Sequence, residues 1–483
     1  MPNQVRDLEP NALWNYFADL NAVPRPSKKE ERVIKFIMQF GEALGLPTSV
    51  DKVGNVLIKK PASKGLEKKP VVLLQSHLDM VHQKNADTQF DFDKEGIKMS
   101  VEADWVKAEG TTLGADNGIG VASIMAILAS KEIPHPSLEA LFTIDEETGL
   151  TGAKGLKGGL LKAKYMLNLD TEDDKELTIG CAGGVDVTGE GKFRTEPVQA
   201  DSIAFRIGII GLTGGHSGMD IHLGRGNANK LCQRLVAAFD PKSGLRLAEM
   251  DGGSLRNAIP RECFAVVVLP KAQEGEFKNY IHKFAETIKA EYRTTDPELN
   301  VVCEDTDVPT QVMAVQIQKK WLSVIAACPN GIHRMSPDVE DLVQTSNNLS
   351  RVLAKDGKFS IQCLTRGSVD SEKMHLADVI KSTLELAGAK VKFGNEYPGW
   401  TPNPHSHLVM LMSNIYEEMN QAKPHVYACH AGLECGIVGQ NYPGMEMISF
   451  GPNIRGAHSP DEKVQISSVQ KYWAFLLRTL VEI

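Results

Sequence analysis

Short apolar runs alternate with helical patterns over the first part of the chain. The runs NVLIKK, VVLLQSHLDM, LEALFTIDEE and KYMLNLD are rich in aliphatic residues and have the length of buried strands. Between the second and third lies GIGVASIMAILAS, which is apolar on all sides and predicts a buried helix of about three to four turns. Strands that alternate with helices indicate a mixed, mostly parallel sheet with helices on its faces.

Two segments of different amino-acid composition divide the chain. AGGVDVTGEGKFRTEPVQADS, near 182 to 202, is rich in glycine, charge and turn formers, and EYPGWTPNPHSH forms a second such segment near 396 to 407. After it, MEMISFGPN predicts another strand and SSVQKYWAFLLRTLVEI a terminal amphipathic helix. The simplest interpretation is a discontinuous α/β domain, residues 1–185 and 401–483, interrupted by an inserted domain, residues 186–400.

The inserted domain contains a weak internal repeat. GGHSGMDIHLGRGNANKLCQRLV and GIHRMSPDVEDLVQTSNNLSRVL both run from a Gly/His turn into a predicted helix, and each is followed by a strand and another helix. This pattern favours an α+β domain built from two βαββ-like halves, although the identity between them is too low to establish a duplication.

Composition narrows the class of protein. A chain of 483 residues is longer than the length at which a single hydrophobic core stops growing, so we expect two or more domains. The net charge of -8 is spread along the chain, which argues against a nucleic-acid partner. The segment MPNQVRDLEPNALW has acidic residues where a signal peptide would need an uninterrupted apolar stretch, so we do not expect export, and no apolar run is long enough to cross a membrane. We expect a cytoplasmic protein whose eight scattered cysteines are reduced.

Histidines and carboxylates lie where predicted strands end. His77 and Asp79 are two residues apart, so the pleat of a strand points both side chains to the same side. An imidazole held by a carboxylate is a common arrangement at zinc, although a surface pair is the simpler interpretation of this spacing alone. Asp116 lies in a glycine-flanked turn before the buried helix, where Asp116 or Asn117 could equally serve as an N-cap.

Three consecutive carboxylates, Asp145, Glu146 and Glu147, follow an apolar strand. Such crowding persists where cations or strong donors compensate the charge, and the alternative is a solvated acidic turn. Asp170 ends another apolar strand, and His458 lies in the turn FGPNIRGAHSPDE after the last strand.

Together these positions form a ligand set for two ions of the zinc type. Two such ions, about 3.5 to 4 Å apart, share one carboxylate and activate a water held between them. A further carboxylate must then take the proton of that water. The adjacent Glu146 and Glu147 supply one base and one ligand.

The motifs SHLDMVH, GADNGIG, DEETGLTGA, NLD and GAHSPDE, in this order, resemble those of the aminoacylase and glutamate-carboxypeptidase clan of dinuclear zinc peptidases. Within that clan the chain resembles most closely, over essentially its whole length, the bacterial aminoacyl-histidine dipeptidases, also called cytosol non-specific dipeptidases. The resemblance implies a catalytic domain interrupted by a lid domain, and a homodimer.

The resemblance also implies roles for individual residues. Asp79 would orient His77, and Glu146 would be the general base. Co²⁺ or Mn²⁺ could replace zinc. The implied ligands are His77, Asp116 and Asp170 for one zinc, and Asp116, Glu147 and His458 for the other.

In the inserted domain, the resemblance implies that His216 donates to the substrate carbonyl and that Asn257 and Arg366 hold its carboxylate end. The simpler interpretations are a histidine in a glycine turn, a capping asparagine and a solvated arginine. Whether His216 serves its own active site or that of a partner subunit stays open. His430 and Glu434, in HAGLECG, could reach the substrate but are left outside the prediction.

The predicted function is hydrolysis of dipeptides with a free C-terminus, including those that end in histidine. The main alternative is an N-acyl amino acid deacylase or a tripeptide aminopeptidase on the same scaffold. A non-catalytic binding protein is disfavoured, because such a protein would be expected to lose ligands that are all present here.

Overall fold

The structure is a computed structural model in which residues 4–239 and 242–483 are described. The chain divides into two compact units. Unit 1 comprises Met1–Gly180, Trp400–Ala428 and Leu433–Ile483, and unit 2 comprises Cys181–Gly399 and Cys429–Gly432. The short second segment of unit 2 is held by the N–H of Ala182, which donates to the carbonyls of Cys429 and Ala431 at 3.1 and 3.0 Å.

The α-helices are α1 Asn11–Asn21, α2 Glu31–Ala43, α3 Ala115–Ala129, α4 Glu146–Gly149, α5 Thr151–Gly155, α6 Ala228–Ala238, α7 Glu274–Glu291, α8 Val315–Ala327, α9 Asp370–Leu386, α10 His407–Asn420, α11 Glu434–Asn441 and α12 Ile466–Glu482. Short 3-10 turns cover Gln4–Asp7, Ile221–Leu223 and Lys271–Gln273. Across the described residues, no helix combines the length and the apolar character needed to span a membrane.

The strands are β1 Thr48–Val50, β2 Val56–Lys60, β3 Val72–His77, β4 Met99–Glu102, β5 Trp105–Ala108, β6 Leu138–Thr143, β7 Tyr165–Asn168, β8 Glu176–Cys181, β9 Gly183–Lys192, β10 Thr195–Pro197, β11 Ser202–Ile210, β12 Arg246–Gly252, β13 Cys263–Pro270, β14 Asn300–Thr306, β15 Gln311–Met313, β16 Gly331–Met335, β17 Val343–Lys355, β18 Lys358–Gly367, β19 Lys390–Tyr397, β20 His425–Cys429, β21 Glu446–Ser449, β22 Ile454–Arg455 and β23 Lys463–Gln465.

The sheet of unit 1 is mixed. Its strand order is β1-β2-β6-β3-β7-β21-β8-β20. The central pairs β6/β3, β3/β7 and β7/β21 are parallel, whereas β1/β2, β2/β6 and β21/β8 are antiparallel. The predicted α/β class with a mixed sheet flanked by helices is confirmed, and the parallel pairing lies at its centre.

The central strands end together at one edge of this sheet. In the register of β3, His77 pairs with Thr143 of β6, and Gln75 pairs with Asn168 of β7. Every residue of these three strands is buried, which explains their uninterrupted apolar character. The residues that follow the strands therefore meet at the carboxyl edge, where open α/β sheets hold their ligands.

Unit 2 is an α+β structure, as predicted. Eight of its strands form an antiparallel sheet in the order β14-β11-β13-β12-β17-β18-β9-β19, and β16 pairs with β17. Helices α6 to α9 bury apolar side chains against this sheet in one core, which includes Phe205, Leu235, Phe277, Trp321 and Ile380.

The prediction of a helix in the second copy of the internal repeat is wrong. SNNLSRVL belongs to the strand β17, whereas NANKLCQRLV of the first copy does form the helix α6, capped by Asn227. The backbone of β17 is hydrogen-bonded to β18 on one side and to β16 and β12 on the other. Pairing on both sides outweighs the local helical spacing, so the two copies differ in structure.

Candidate metal centre and substrate-contact residues

His77 ends strand β3 and is almost fully buried. Its Nδ1 lies 3.1 Å from the backbone carbonyl oxygen of Asp79 and 3.5 Å from Oδ1 of the same residue. When Nδ1–H donates to that carbonyl, Nε2 carries the lone pair and can bind a cation. Asp79 thus contacts the imidazole more closely through its main chain than through its carboxylate.

The Nε2 atom of His77 faces two carboxylates. It lies 3.1 Å from Oδ1 of Asp116 and 3.4 Å from Oδ1 of Asp170. One ligand atom from each of the three residues falls within 4.8 Å of the others. One imidazole with two carboxylates is a donor set that suits zinc and related divalent ions.

A second group shares Asp116. The Nε2 atom of His458 lies 2.9 Å from Oε2 of Glu147 and 3.4 Å from Oδ2 of Asp116, and these three residues again offer atoms within 4.8 Å of one another. Asp116 therefore turns a different oxygen to each imidazole. A carboxylate in this position could serve as a ligand in both groups, should each hold a cation.

Unpaired oxygens provide a test of whether cations fit this centre. Oε1 of Glu147 is buried and has no hydrogen-bond partner, and buried Oδ1 of Asp170 has only the imidazole of His77 near it, at 3.4 Å. A buried carboxylate oxygen without a donor is costly, and a divalent ion would remove that cost. The sequence predicted these five residues as ligands, and the structure brings all five together.

The charges of the centre are strongly coupled. Burial alone would lower the pKa of His77, but the surrounding carboxylates of Asp170, Asp116 and Asp79 outweigh it and raise the pKa well above its usual value. Hydrogen bonds that the imidazole of His458 donates to the carboxylates of Asp116 and Glu147 raise its pKa to about 11. The carboxylates thus favour the protonated form of both imidazoles in the metal-free chain, and a cation competes with protons for the ring nitrogens.

Glu146 belongs to neither of these two groups of candidate ligands. Its N–H donates to Oδ1 of Asp79 at 3.0 Å, and the N–H of Glu147 approaches Oδ2 of Asp79 at 3.3 Å. Burial, together with repulsion from neighbouring carboxylates, raises the pKa of Glu146 well above its usual range. A carboxyl group that takes up a proton more readily than usual suits the role of general base.

Asp145 does not lie in a solvated acidic turn. It is buried and accepts hydrogen bonds from the hydroxyl groups of Thr148 and Thr151. Together with Asp79 and Glu30 it forms a third buried group of carboxylates. The simpler interpretation of the acidic run is therefore wrong.

Two buried charged residues of this site escaped the sequence prediction. Arg25 donates to the carbonyls of Leu78 and Gly114 at 3.0 and 2.6 Å, one residue after His77 and two residues before Asp116. Burial lowers its pKa to about 10, so it keeps a positive charge at neutral pH. Glu462 accepts four backbone N–H groups of residues 113–116. Arg25 lies outside the motifs that carry the resemblance, and Glu462 ends the motif GAHSPDE without a predicted role. Each acts through backbone groups that are distant along the chain.

His216 lies in unit 2, in the loop between β11 and α6. Its Nδ1 accepts N–H groups from Gly218 at 3.2 Å and from Met219 at 3.0 Å. Burial and the nearby Arg366 lower the pKa of His216, so the imidazole is neutral and its proton lies on Nε2. Nε2–H is therefore a hydrogen-bond donor, as the predicted role requires.

Arg366, on β18, is buried in unit 2 and its Nε has no hydrogen-bond partner. Its Nη1 donates to the hydroxyl of Tyr397 at 3.0 Å, and its Nη2 lies 3.5 Å from Nε2 of His216. A buried guanidinium beside a neutral imidazole and a phenol suits an incoming carboxylate. Arg366 is not a solvated arginine. Tyr397 is a neighbour that the sequence did not reveal.

Asn257 is exposed, and its backbone carbonyl accepts the N–H of Ser217 at 2.8 Å, next to His216. His430 is buried in the same unit, with Nε2 2.7 Å from the hydroxyl of Ser346. Burial and the charge of Arg366 lower the pKa of His430 to about 3, so this ring is neutral. The structure thus groups His216, Arg366 and His430, with Asn257 on an adjoining loop.

Comparison with known proteins identifies the family. The profile of Peptidase family M20/M25/M40 matches residues 73–482, which include all five candidate ligands. The chain belongs to this peptidase family.

Within the M20/M25/M40 peptidases, the chain is 40% identical over 481 residues to the cytosol non-specific dipeptidase of Escherichia coli K12, covering 100% of this chain and 99% of that protein. The crystal structure of the aminoacylhistidine dipeptidase from Vibrio alginolyticus superimposes with a TM-score of 0.95 at 43% identity, covering 100% of this chain and 98% of that one. The aminopeptidase PepT of Bacillus cereus, at 17% identity, a TM-score of 0.57 and coverage of 98% and 99%, shares the fold. The predicted resemblance to the dipeptidases is confirmed.

Proposed function

We propose that this protein is a dinuclear zinc dipeptidase that hydrolyses dipeptides with a free C-terminus, including those ending in histidine. The observation that carries the proposal is Asp116, whose two oxygens face the imidazoles of His77 and His458 at 3.1 and 3.4 Å. The two dipeptidases that are similar over the whole chain support the same substrate class.

Residues of unit 1 would hold the ions and move the proton. His77, Asp116 and Asp170 would bind one ion, and Asp116, Glu147 and His458 the other. Two zinc ions bound there would polarise the scissile carbonyl and activate a water for attack. Glu146 would take the proton of that water and return it to the leaving amine, for which its raised pKa is suited.

Residues of unit 2 would bind the substrate. Nε2–H of His216 would donate to the carbonyl oxygen as negative charge develops on it, which lowers the barrier to attack. Arg366 would hold the terminal carboxylate, with Asn257 as a further contact, and this pairing restricts the enzyme to short peptides. In this account unit 1 is the catalytic domain and unit 2 is the lid.

The experiment that tests the proposal is hydrolysis of a substrate panel by the purified protein, with and without a chelator. The panel contains dipeptides ending in histidine and in other residues, their C-terminal amides, tripeptides and N-acetyl amino acids. We expect cleavage of the free-acid dipeptides, loss of activity with chelator and recovery with zinc. Preferential cleavage of N-acetyl amino acids would instead indicate a deacylase, and preferential cleavage of tripeptides a tripeptide aminopeptidase.

Two further expectations depend on similarity to relatives. The name of the Escherichia coli relative supports a cytosolic location. A homodimer remains a prediction, which size-exclusion chromatography with light scattering would test.

A further inference from the structure

The loop of residues 113–116, which runs into the irregular first turn of helix α3, carries the shared ligand of the candidate metal centre. The residue that fixes this loop is not one of the ligands. Asp116 has extended backbone angles of φ -81° and ψ 109°, and the next residue, Asn117, is also non-helical, so the helix is regular only after these two residues. Its carboxylate faces the two histidines, and the position before the helix, Gly114, has no side chain to cap it. The N–H groups of this loop must therefore find an acceptor elsewhere.

That acceptor is the carboxylate of Glu462. Oε2 accepts the N–H groups of Leu113 and Gly114 at 2.7 and 2.9 Å, and Oε1 accepts those of Ala115 and Asp116 at 2.8 and 3.2 Å. Glu462 is only 3% exposed. Four consecutive N–H groups on one buried carboxylate leave the loop almost no freedom to turn.

The same residue joins two ligand-bearing loops. Glu462 lies four residues after His458, and its contacts reach the loop of Asp116 across almost 350 positions of sequence. His458 and Asp116 are both members of the second group of candidate ligands. The carboxylate therefore sets the position of one ligand of that group relative to another.

We propose that Glu462 is a positioning residue, which holds Asp116 and His458 in the geometry needed to bind two cations and binds neither cation itself. The inference rests on the proposed dinuclear centre. Loss of a residue that orients a metal ligand typically weakens metal binding by about 10- to 100-fold. Because Asp116 is shared, both ions depend on Glu462.

The test is Glu462→Gln, which keeps the size of the side chain. One acceptor oxygen becomes an NH₂ group, so two of the four N–H groups lose their partner. We expect both stepwise zinc affinities, measured by competition with a chromophoric chelator, to fall by about 10- to 100-fold. The affinity for the ion bound through His458 should fall more, because that site uses both loops.

A matched control separates positioning from general stabilisation. Asp296 of unit 2 is buried and accepts the N–H groups of Thr213 and Gly226, both at 2.9 Å. Asp296→Asn should lower the Tm, as Glu462→Gln should, but should leave both zinc affinities unchanged. Unchanged zinc affinities in Glu462→Gln, or an equal loss in Asp296→Asn, would overturn the proposal.

A measurement on the wild-type protein covers the case in which the glutamine variant does not fold. The amides of residues 113–116 should exchange slowly with deuterium in the metal-free protein, since Glu462 holds them without any ion. Exchange at the rate of an open loop would overturn the inference. A wild-type protein that binds fewer than two ions would instead defeat the proposed function, and the two failures are thus distinguishable.

Discussion

Adding zinc to the metal-free protein should release at least two protons per chain at pH 7.5, one from His77 and one from His458. Both imidazoles lie against carboxylates that raise their pKa, for His458 to about 11. A histidine binds a metal ion only through a neutral ring nitrogen, so each ion must expel a proton. A raised pKa means that the protonated form persists above neutral pH, and zinc affinity should therefore increase as pH rises.

The magnitude follows from the count of protons. One proton displaced per ion changes each binding constant by about tenfold per pH unit, or about 1.4 kcal/mol. The product of the two constants should therefore rise by about a hundredfold per pH unit between pH 6.5 and 8. Isothermal titration calorimetry in buffers of different ionisation enthalpy gives the number of protons directly.

His216 provides the matched control for this titration. Burial and the neighbouring Arg366 lower the pKa of His216, so the ring carries no extra proton to release. The variant His216→Ala should give the same proton count as the wild-type protein, whereas His458→Ala should give about one proton fewer. A count below one proton per chain, with zinc affinity independent of pH, would refute the reasoning, because the imidazoles would then be neutral in the metal-free protein.

Three further predictions address the base, the substrate contact and a buried network. Glu146→Gln should bind both ions and fold normally but lose several powers of ten in kcat, and more than about a tenth of wild-type activity would exclude it as the base. Arg366→Ala should lower kcat/KM for free-acid dipeptides by a factor that corresponds to about 2 to 5 kcal/mol, and far less for their amides. The two changes, arginine to alanine and carboxylate to amide, form a double-mutant cycle. A coupling energy near zero between them would contradict the proposed role of Arg366. Glu434→Ala should destabilise the protein by about 1 to 3 kcal/mol, because two donors at 2.6 Å lose their acceptor. Glu434→Gln, which keeps one acceptor oxygen, should cost less in urea denaturation, and equal losses would contradict this account.

The sequence predicted the central elements of unit 1 because their signals are local. Strands β3, β6 and β7 are uniformly apolar, and helix α3 is buried along nearly its whole length. Parallel strands then bring their carboxyl ends to one edge, so His77, Glu147 and Asp170, which end or follow these strands, could be predicted to lie together without knowledge of distances.

What the sequence could not predict depends on long-range contacts. Arg25 and Glu462 bind backbone groups far along the chain, and a backbone acceptor or donor leaves no trace in residue identity. The strand β17 was predicted as a helix because its spacing of apolar residues is ambiguous until its partners are known. Tyr397 meets Arg366 only when β19 and β18 pair with β9.

The two oxygens of Asp116 could not be assigned from the sequence either. The turn before a helix suits a capping side chain as well as a metal ligand, and both alternatives stayed open at that stage. The structure shows Glu462, rather than Asp116, as the acceptor for the N–H groups of this loop. The carboxylate of Asp116 is thus left to face His77 and His458.

The central claim is that one carboxylate bridges two metal ions in unit 1. The most direct test is the zinc content of the wild-type protein, measured by inductively coupled plasma mass spectrometry after saturation with zinc and removal of unbound metal. The geometry of His77, Asp116, Asp170, Glu147 and His458 predicts two ions per chain. One ion per chain, or none, would contradict the dinuclear centre.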